Sequence, residues 1–245
     1  MNVESTPRRM DRIYGLQRHI YDFTRPLILP GRDRLLDGIE MPARGRLLEV
    51  GCGTARNIAR LARRFPEASF VGLDASREML RTAARRIARR GLSARAALRH
   101  GLAQDLAAGL SGDADHRFDA VVLSYTLSMI ESPENVLDGA LEFVVPGGEL
   151  HIVDFWSAAR WHAFLRCALA AWMDLFGVAH RPAVERWLLA RGNAVKEFRV
   201  LLGGYAFLAR VIRQDSLSSQ RTERSSTSKM SVAPGGMTPP APQLP

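Results

Sequence analysis

Cysteine, long apolar runs and metal-ligand spacings are all scarce in this chain. It has two cysteines in 245 residues, Cys52 and Cys167, too few for a disulfide framework, which predicts a reducing compartment. No apolar run approaches the roughly 20 residues of a membrane-spanning helix, and the N-terminus lacks the apolar core of a secretory signal. The six histidines show no metal-ligand spacing. We therefore expect a cytoplasmic protein without a bound metal, whose membrane contacts are peripheral.

Acidic residues are also scarce relative to basic ones. The 25 acidic residues are outnumbered by 34 basic ones, so the net charge is +9 and the isoelectric point is about 10.6. Such a field favours an anionic partner, either a membrane surface or a nucleic acid. Most of the excess is arginine, so an arginine-rich genome would explain it equally well. The length allows one full α/β domain with a substantial core.

The stretch from Arg46 to Asn57 has the pattern of a strand, a glycine turn and a helix. An apolar run ends in Val50, and helical spacing resumes at Ile58. The turn contains Gly51 and Gly53, which lack a Cβ and therefore let the backbone approach a ligand closely. Such a unit holds a nucleotide at the carboxyl end of its strand.

The spacing within this loop distinguishes between nucleotides. A dinucleotide site needs a small residue where this chain has Arg56, so an NAD-dependent oxidoreductase is disfavoured. The pattern Glu49-x-Gly51-x-Gly53 instead resembles motif I of the class I S-adenosylmethionine (AdoMet) methyltransferases, with Ala55 in place of the third glycine. That resemblance implies that Glu49 helps to order the methionine end of the cofactor.

Later segments match the same family in order. Asp74 ends a second apolar strand about twenty residues after the loop, where an acid can accept both ribose hydroxyls. Residues 101–106 resemble the segment that contacts the adenine, and the strand from Phe118 ends at the switch point beside the reacting methyl group. The cofactor contacts implied by this resemblance are Glu49, Gly51, Cys52, Gly53, Thr54, Asn57, Asp74, Ala75, Met79, Gln104, Asp105 and Ser124.

The fold implied is a Rossmann-like α/β domain. Its seven-stranded, mostly parallel sheet has an antiparallel C-terminal strand and helices on both faces. Residues 1–40 are predicted to form a helical cap with helices over 10–22 and 31–39, residues 41–213 the AdoMet-binding domain, and 214–245 a disordered tail. Further helices are predicted over 76–90, 133–143 and 158–176. The fifth strand is expected over 151–154 after a Pro-Gly-Gly turn, and a C-terminal strand pair over 195–202 and 204–213.

Three segments narrow the resemblance. They are the N-terminal segment 10–25, which contains Gln-Arg-His-Ile-Tyr-Asp-Phe-Thr-Arg and is followed by Pro-Gly-Arg-Asp-Arg-Leu at 30–35, then Ser-Tyr-Thr-Leu-Ser-Met-Ile at 124–130 and His-Ile-Val-Asp-Phe at 151–155. They are similar to the betaine-lipid N-methyltransferases, and the likeness spans roughly residues 10–210. It implies three successive methylations of the amine of diacylglycerylhomoserine, which a partner enzyme of that family makes first. The partner would be a lipid at an anionic membrane surface on the inner face of the membrane, not a nucleic acid.

Methyl transfer requires a neutral amine held close to the activated carbon. We expect Tyr125, Tyr14, His19 and Tyr21 to line the amine pocket, because tyrosine faces suit an amine that gains permanent charge. His19 could accept a proton near neutral pH. Arg18, Arg25 or Arg32 could hold the homoserine carboxylate by bidentate pairing.

Two features suggest membrane contact but have ordinary explanations. Arg77, Arg81, Arg85 and Arg89 recur every four residues, which predicts either a solvated helix face or attraction to anionic headgroups. All four tryptophans, Trp156, Trp161, Trp172 and Trp187, lie in the C-terminal third, where they could pack in the core or meet acyl chains.

Three rival functions remain open. The nearest is a methyltransferase for another small or lipid acceptor, such as a quinone precursor, which would share every cofactor motif. A catalytically silent AdoMet-binding protein would share them too, but the intact glycine loop argues against it. A nucleic-acid methyltransferase would suit the charge, but amino-methylating members carry an Asn/Asp-Pro-Pro-aromatic motif where this chain has Ser124-Tyr125-Thr126-Leu127.

Overall fold

A computed structural model describes residues 29–111, 117–157, 161–162, 164, 178 and 180–214. The strands are β1 Arg46–Val50, β2 Ser69–Asp74, β3 Ala96–His100, β4 Phe118–Ser124, β5 Val144–Phe155, β6 Val195–Leu201 and β7 Ala206–Ile212. The described helices are α1 Arg32–Asp37, α2 Arg56–Arg64, α3 Arg77–Arg89, α4 Leu106–Gly109, α5 Pro133–Glu142 and α6 Pro182–Arg191. The predicted helices over 10–22 and 158–176 and the predicted tail fall largely or wholly outside these residues.

The seven strands form one sheet in the order β3-β2-β1-β4-β5-β7-β6. Strands β1 to β5 pair in parallel, whereas β7 runs antiparallel to both β5 and β6. The strand order reverses between β1 and β4, so a crevice opens there at the carboxyl ends of the strands. The predicted seven-stranded, mostly parallel fold is confirmed.

The sheet is buried on both faces, which explains its continuous apolar strands. Leu47 faces the core layer beneath α1, α2 and α3, and its neighbour Leu48 faces the opposite layer beneath α4, α5 and α6. Both leucines are fully buried. Ser76 caps α3 by accepting the N–H of Met79, as its position after the strand predicts.

The predicted fifth strand was too short. β5 begins at Val144 rather than His151, and its register against β4 jumps from Phe118–Val144 to Ala120–Glu149. The Pro-Gly-Gly segment therefore bulges outward within the strand. Gly147 donates its N–H to the carbonyl of Arg213, and this pairing to the end of β7 keeps the bulged backbone in the sheet.

Candidate functional site

A cleft opens at the switch point, at the carboxyl ends of β1, β2 and β4. Its position follows from the parallel pairing, which brings the ends of these strands to one edge of the sheet. It is lined by Leu29, Arg32, Glu49, Gly51, Cys52, Gly53, Arg56, Asn57, Leu73, Asp74, Ala75, Met79, Gly101, Leu102, Ala103, Gln104, Ser124, Tyr125, Thr126, Met129 and Ile130. Most of the cofactor residues predicted from the sequence are therefore brought together in one place.

The glycine loop is held against the end of β2. The N–H groups of Gly51 and Cys52 both donate to the carbonyl of Leu73, at 2.8 and 3.0 Å. Gly51 has a φ of +73°, and a Cβ there would lie 2.4 Å from Oγ1 of Thr126. Only glycine satisfies both constraints, because other residues disfavour this φ and would collide with Thr126.

The third motif position has the backbone of a glycine although the residue is alanine. Ala55 has a φ of 56° and a ψ of 33°, in the left-handed region, and precedes the first residue of α2. This conformation costs an alanine about 1 kcal/mol. The Cβ is fully buried, so packing of the methyl group offsets part of that cost.

A carboxylate and an amide meet at the inner wall of the cleft. Nδ2 of Asn57 donates to Oε1 of Glu49 at 2.6 Å, and both side chains are buried. The bond orients the Glu49 carboxylate from the first turn of α2. A cationic amino group is the kind of ligand that such a buried carboxylate binds.

Asp74 joins the end of β2 to the glycine loop. Its Oδ2 accepts the N–H of Gly53 at 2.7 Å, and its Oδ1 accepts that of Ser76 at 2.9 Å. A carboxylate accepts several hydrogen bonds at once, so these backbone contacts are compatible with a ligand hydroxyl as a further donor. The acid thus shapes the loop as well as lining the cleft.

Two predicted cofactor residues do not line the cleft. Asp105 accepts the N–H of Ala108 at 3.1 Å and caps α4, whereas its neighbour Gln104 does line the cleft. Thr54 is buried, and its Oγ1 accepts from the guanidinium of Arg86 at 2.5 Å. Both side chains are therefore hydrogen-bonded to other groups of the protein.

The segment after β4 forms the opposite wall. Tyr125 has a φ of 56°, and its ring packs edge-on against Phe155 with centroids 4.8 Å apart. Its hydroxyl donates to the carbonyl of Pro30 at 2.5 Å. Burial, and then the nearby Asp154 carboxylate, raise the pKa of the Tyr125 phenol far above its usual value, so the hydroxyl stays protonated.

Two further polar groups lie at this end of the cleft. Arg32, in the first turn of α1, is buried at 7% exposure and lines the cleft. The Oγ of Ser124 is buried without a hydrogen-bond partner among the described residues. The other predicted acceptor-site residues, Tyr14, His19, Tyr21, Arg18 and Arg25, lie outside the described part of the chain.

A buried carboxylate that the sequence analysis missed holds this wall in place. Oδ2 of Asp154 accepts the N–H groups of Leu127 and Ser128, at 2.7 and 3.2 Å, and Oδ1 accepts that of Phe155. Burial raises the pKa of Asp154 to about 6, although these donors partly oppose the shift. The sequence feature that could have identified Asp154 is its position as an acid at the end of an apolar strand.

The structure places the tryptophans and the arginine row that suggested membrane contact in different environments. Trp156 and Trp187 are buried in the core, at 8% and 5% exposure, so they cannot meet acyl chains as suggested. Trp161 stacks on Tyr205 at 5.7 Å and donates to the carbonyl of Leu202. The row of arginines every four residues on α3 is exposed: Arg77, Arg81, Arg85 and Arg89.

Within the described ranges, no helix is long and apolar enough to cross a membrane. The same ranges contain no group of three or more histidine, cysteine or acidic side chains arranged to hold a metal.

Residues 47–148 match the methyltransferase domain family. An uncharacterized methyltransferase of Mycobacterium bovis is 34% identical over 144 residues, and the match covers 56% of this chain and 68% of that protein. The chain belongs to the class I AdoMet-dependent methyltransferases. Mitomycin 7-O-methyltransferase has the same fold, with a TM-score of 0.65 at 14% identity, over 85% of this methyltransferase and 61% of that chain.

Other relatives of this methyltransferase have different named substrates. Trans-aconitate 2-methyltransferase of Pseudomonas aeruginosa is 36% identical over 55% of this chain, which spans only 45% of that protein. Phosphatidylethanolamine N-methyltransferase of Cereibacter sphaeroides is 29% identical, over 68% of this chain and 79% of that protein. Demethylmenaquinone methyltransferase of Clavibacter sepedonicus is 26% identical, over 86% of this chain and 93% of that protein.

Proposed function

We propose that this methyltransferase transfers methyl groups from AdoMet to the amine of diacylglycerylhomoserine, three times in succession, to form a trimethylated betaine lipid. The observation that carries the proposal is that an aromatic ring, Tyr125, and a buried guanidinium, Arg32, both line the cofactor cleft. An amino acid headgroup offers an amine for the first and a carboxylate for the second. The lipid N-methyltransferase among the relatives supports this class of acceptor.

The cleft residues fit the chemical groups of AdoMet. Asp74 and the buried Glu49 both line the cleft, where the first suits hydroxyl donors and the second suits an ammonium group. The glycine loop lines the same cleft through Gly51 and Gly53. AdoMet, when bound, supplies a methyl group activated by a positively charged sulfur. We therefore assign the cofactor to this cleft.

The protein's contribution to the transfer is to position and desolvate the amine. An amine must be neutral to attack, so each substrate ammonium has to lose a proton before transfer. The hydroxyl of Tyr125 cannot accept that proton, because it already donates to Pro30 and its raised pKa keeps it protonated. Its ring is the useful part, since an aromatic face stabilises the charge that develops on nitrogen.

The direct test is mass spectrometry of lipids after purified protein is incubated with AdoMet and vesicles containing diacylglycerylhomoserine. Successive gains of one, two and three methyl groups are expected. Arg32→Gln should lower turnover at least tenfold while leaving AdoMet affinity unchanged, because a charge-assisted bond to the carboxylate is worth about 1.5–3 kcal/mol. Arg44→Gln, which removes an exposed arginine paired with Glu67, controls for the loss of one positive charge.

A different acceptor is the second candidate, supported by the demethylmenaquinone methyltransferase relative, which the match covers almost entirely. If AdoMet binds but no lipid gains a methyl group, the betaine-lipid assignment is wrong. Methylation of a demethylated quinone in the same assay would then identify the acceptor class.

A further inference from the structure

A second cavity lies beside the cofactor cleft and is lined mainly by arginine. It has a volume of about 300 Å³ and lies between α1, α2 and α3. Its walls are Asp33, Leu36, Arg56, Asn57, Ala59, Arg60, Arg63, Arg86 and Arg90. Five of these nine residues are arginines, so the cavity is polar and strongly positive.

Helical spacing explains why these arginines face one another. Arg56, Arg60 and Arg63 are four and three residues apart on α2, which puts them on one side of that helix. Arg86 and Arg90 are likewise four apart, in the last turn of α3 and just after it. The two rows meet across the cavity, and neither belongs to the exposed row that begins at Arg77.

Two of the five guanidinium groups are held by the protein. Arg60 lies 2.5 Å from Oδ1 of Asp33 and 2.8 Å from Oδ1 of Asp37. Arg86 donates to the carbonyl and to Oγ1 of Thr54, both at 2.5 Å. The two contacts with Thr54 fix the position of the Arg86 guanidinium at the cavity wall.

The carboxylates on the cavity do not balance its charge. Asp33 is the one acidic residue among the lining residues that the structure describes, and it is already paired with Arg60. Arg63 and Arg90 are exposed and have no ion pair among the described residues. Like charges this close repel one another, so a bound anion would be stabilised by several guanidinium groups at once.

We propose that this arginine cavity binds a phosphate-bearing anion. Planar guanidinium groups match phosphate oxygens in bidentate geometry, and several converging arginines suit a group with more than one charged oxygen. Arg56 lines both this cavity and the cofactor cleft, so the bound anion lies next to the catalytic site. The phosphate belongs either to a soluble ester or to a phospholipid headgroup. Diacylglycerylhomoserine has no phosphate, so this ligand is distinct from the proposed acceptor.

The test compares two double variants of the full chain that remove the same charge. Arg63→Gln/Arg90→Gln changes the cavity, and Arg77→Gln/Arg85→Gln changes exposed arginines on α3 that do not line it. Calorimetry with inorganic phosphate and with glycerol 3-phosphate is done in a phosphate-free buffer of fixed ionic strength. Sedimentation with phosphatidylcholine vesicles, with and without phosphatidylglycerol, tests the lipid source. AdoMet affinity, measured on each variant, reports that the fold is intact.

We expect saturable phosphate binding by the wild-type chain, weakened at least tenfold in the cavity variant and less than twofold in the control. Selective loss of vesicle binding as well identifies the source as a lipid headgroup, whereas unchanged vesicle binding identifies a soluble ester. Absence of saturable binding, or an equal loss in both variants, overturns the proposal. Because AdoMet binding is read separately, neither result depends on the identity of the methyl acceptor.

Discussion

At the scale of single residues, the ring and the hydroxyl of Tyr125 have different roles. The hydroxyl donates a hydrogen bond to the carbonyl of Pro30, and the ring lines the cleft. The sequence predicted that Tyr125 lines the acceptor pocket, but the hydrogen bond could not be foreseen, since its acceptor is 95 positions away in the chain.

Tyr125→Phe tests this separation. We expect most of the turnover to remain because the aromatic face is kept, and the free energy of unfolding to fall by about 1 kcal/mol through the lost hydrogen bond. Tyr125→Ala should lower turnover at least tenfold with little change in AdoMet affinity. Steady-state kinetics and chemical denaturation measure both effects. Abolished turnover in the phenylalanine variant would contradict the role of the ring.

Asp74 and Asp105 are two acids with opposite predicted effects on cofactor binding. Asp74→Asn should weaken AdoMet binding about tenfold or more, because a hydrogen bond to a charged group contributes about 1.5–3 kcal/mol. Asp105→Asn changes only the cap of α4 and should leave the dissociation constant within about twofold. Calorimetric titration decides between them. A large loss of affinity on changing Asp105 would show that its side chain turns toward the cofactor.

At the scale of elements, the segment after β4 depends on a neighbouring strand. Asp154 at the end of β5 accepts backbone N–H groups from Leu127 and Ser128, and this segment carries the cleft residues Thr126 and Met129. The apolar strands were predictable from the sequence. The hydrogen bonds from Leu127 and Ser128 to Asp154 were not predictable, because they follow from the pairing of β4 with β5.

The pH dependence of stability tests the buried state of Asp154. Its pKa is about 6 in the folded protein against 3.8 for an unperturbed carboxyl group. The folded state therefore binds the proton more tightly than the unfolded state does. The stabilisation from protonated Asp154 is fully present below the unfolded pKa of 3.8 and is lost as the pH rises through the folded pKa of about 6. Between pH 5 and 7 the wild type should lose about 1 kcal/mol of unfolding free energy relative to Asp154→Asn. The measurement is chemical denaturation of both proteins at several pH values. If their unfolding free energies change in parallel between pH 5 and 7, the pKa of Asp154 is not raised in the folded protein.

At the scale of the whole molecule, the antiparallel pair β6 and β7 completes the sheet. β7 lies between β5 and β6 and pairs with both, from Ala206 to Ile212. The side chain of Arg213 then donates to the carbonyls of Glu142 and Val144, which ties the end of β7 to the start of β5. The predicted tail follows these contacts.

Truncation separates the domain from the predicted tail. A chain ending at Gln214 keeps all seven strands and should melt cooperatively within about 2 °C of the full chain, because the composition of residues 215–245 predicts that they bury too little apolar surface to fold. A chain ending at Gly203 lacks β7 and should not fold, since β5 and β6 would lose their shared neighbour. Thermal denaturation and AdoMet titration measure both. A large loss of stability in the longer chain would contradict the tail assignment.

The sequence by itself determined the sheet, the glycine loop and the cofactor class of this protein. These features depend on local constraints, such as apolar strands, backbone freedom at Gly51 and an acid at the end of each of two strands. Only the tertiary structure decided that Thr54 accepts from Arg86, that Trp156 and Trp187 are buried, and that Asp154 holds the wall of the cleft. The two arginine rows of the second cavity likewise become one site only when α2 and α3 pack on the same face of the sheet. Such contacts join residues far apart in the chain, and no local pattern specifies them.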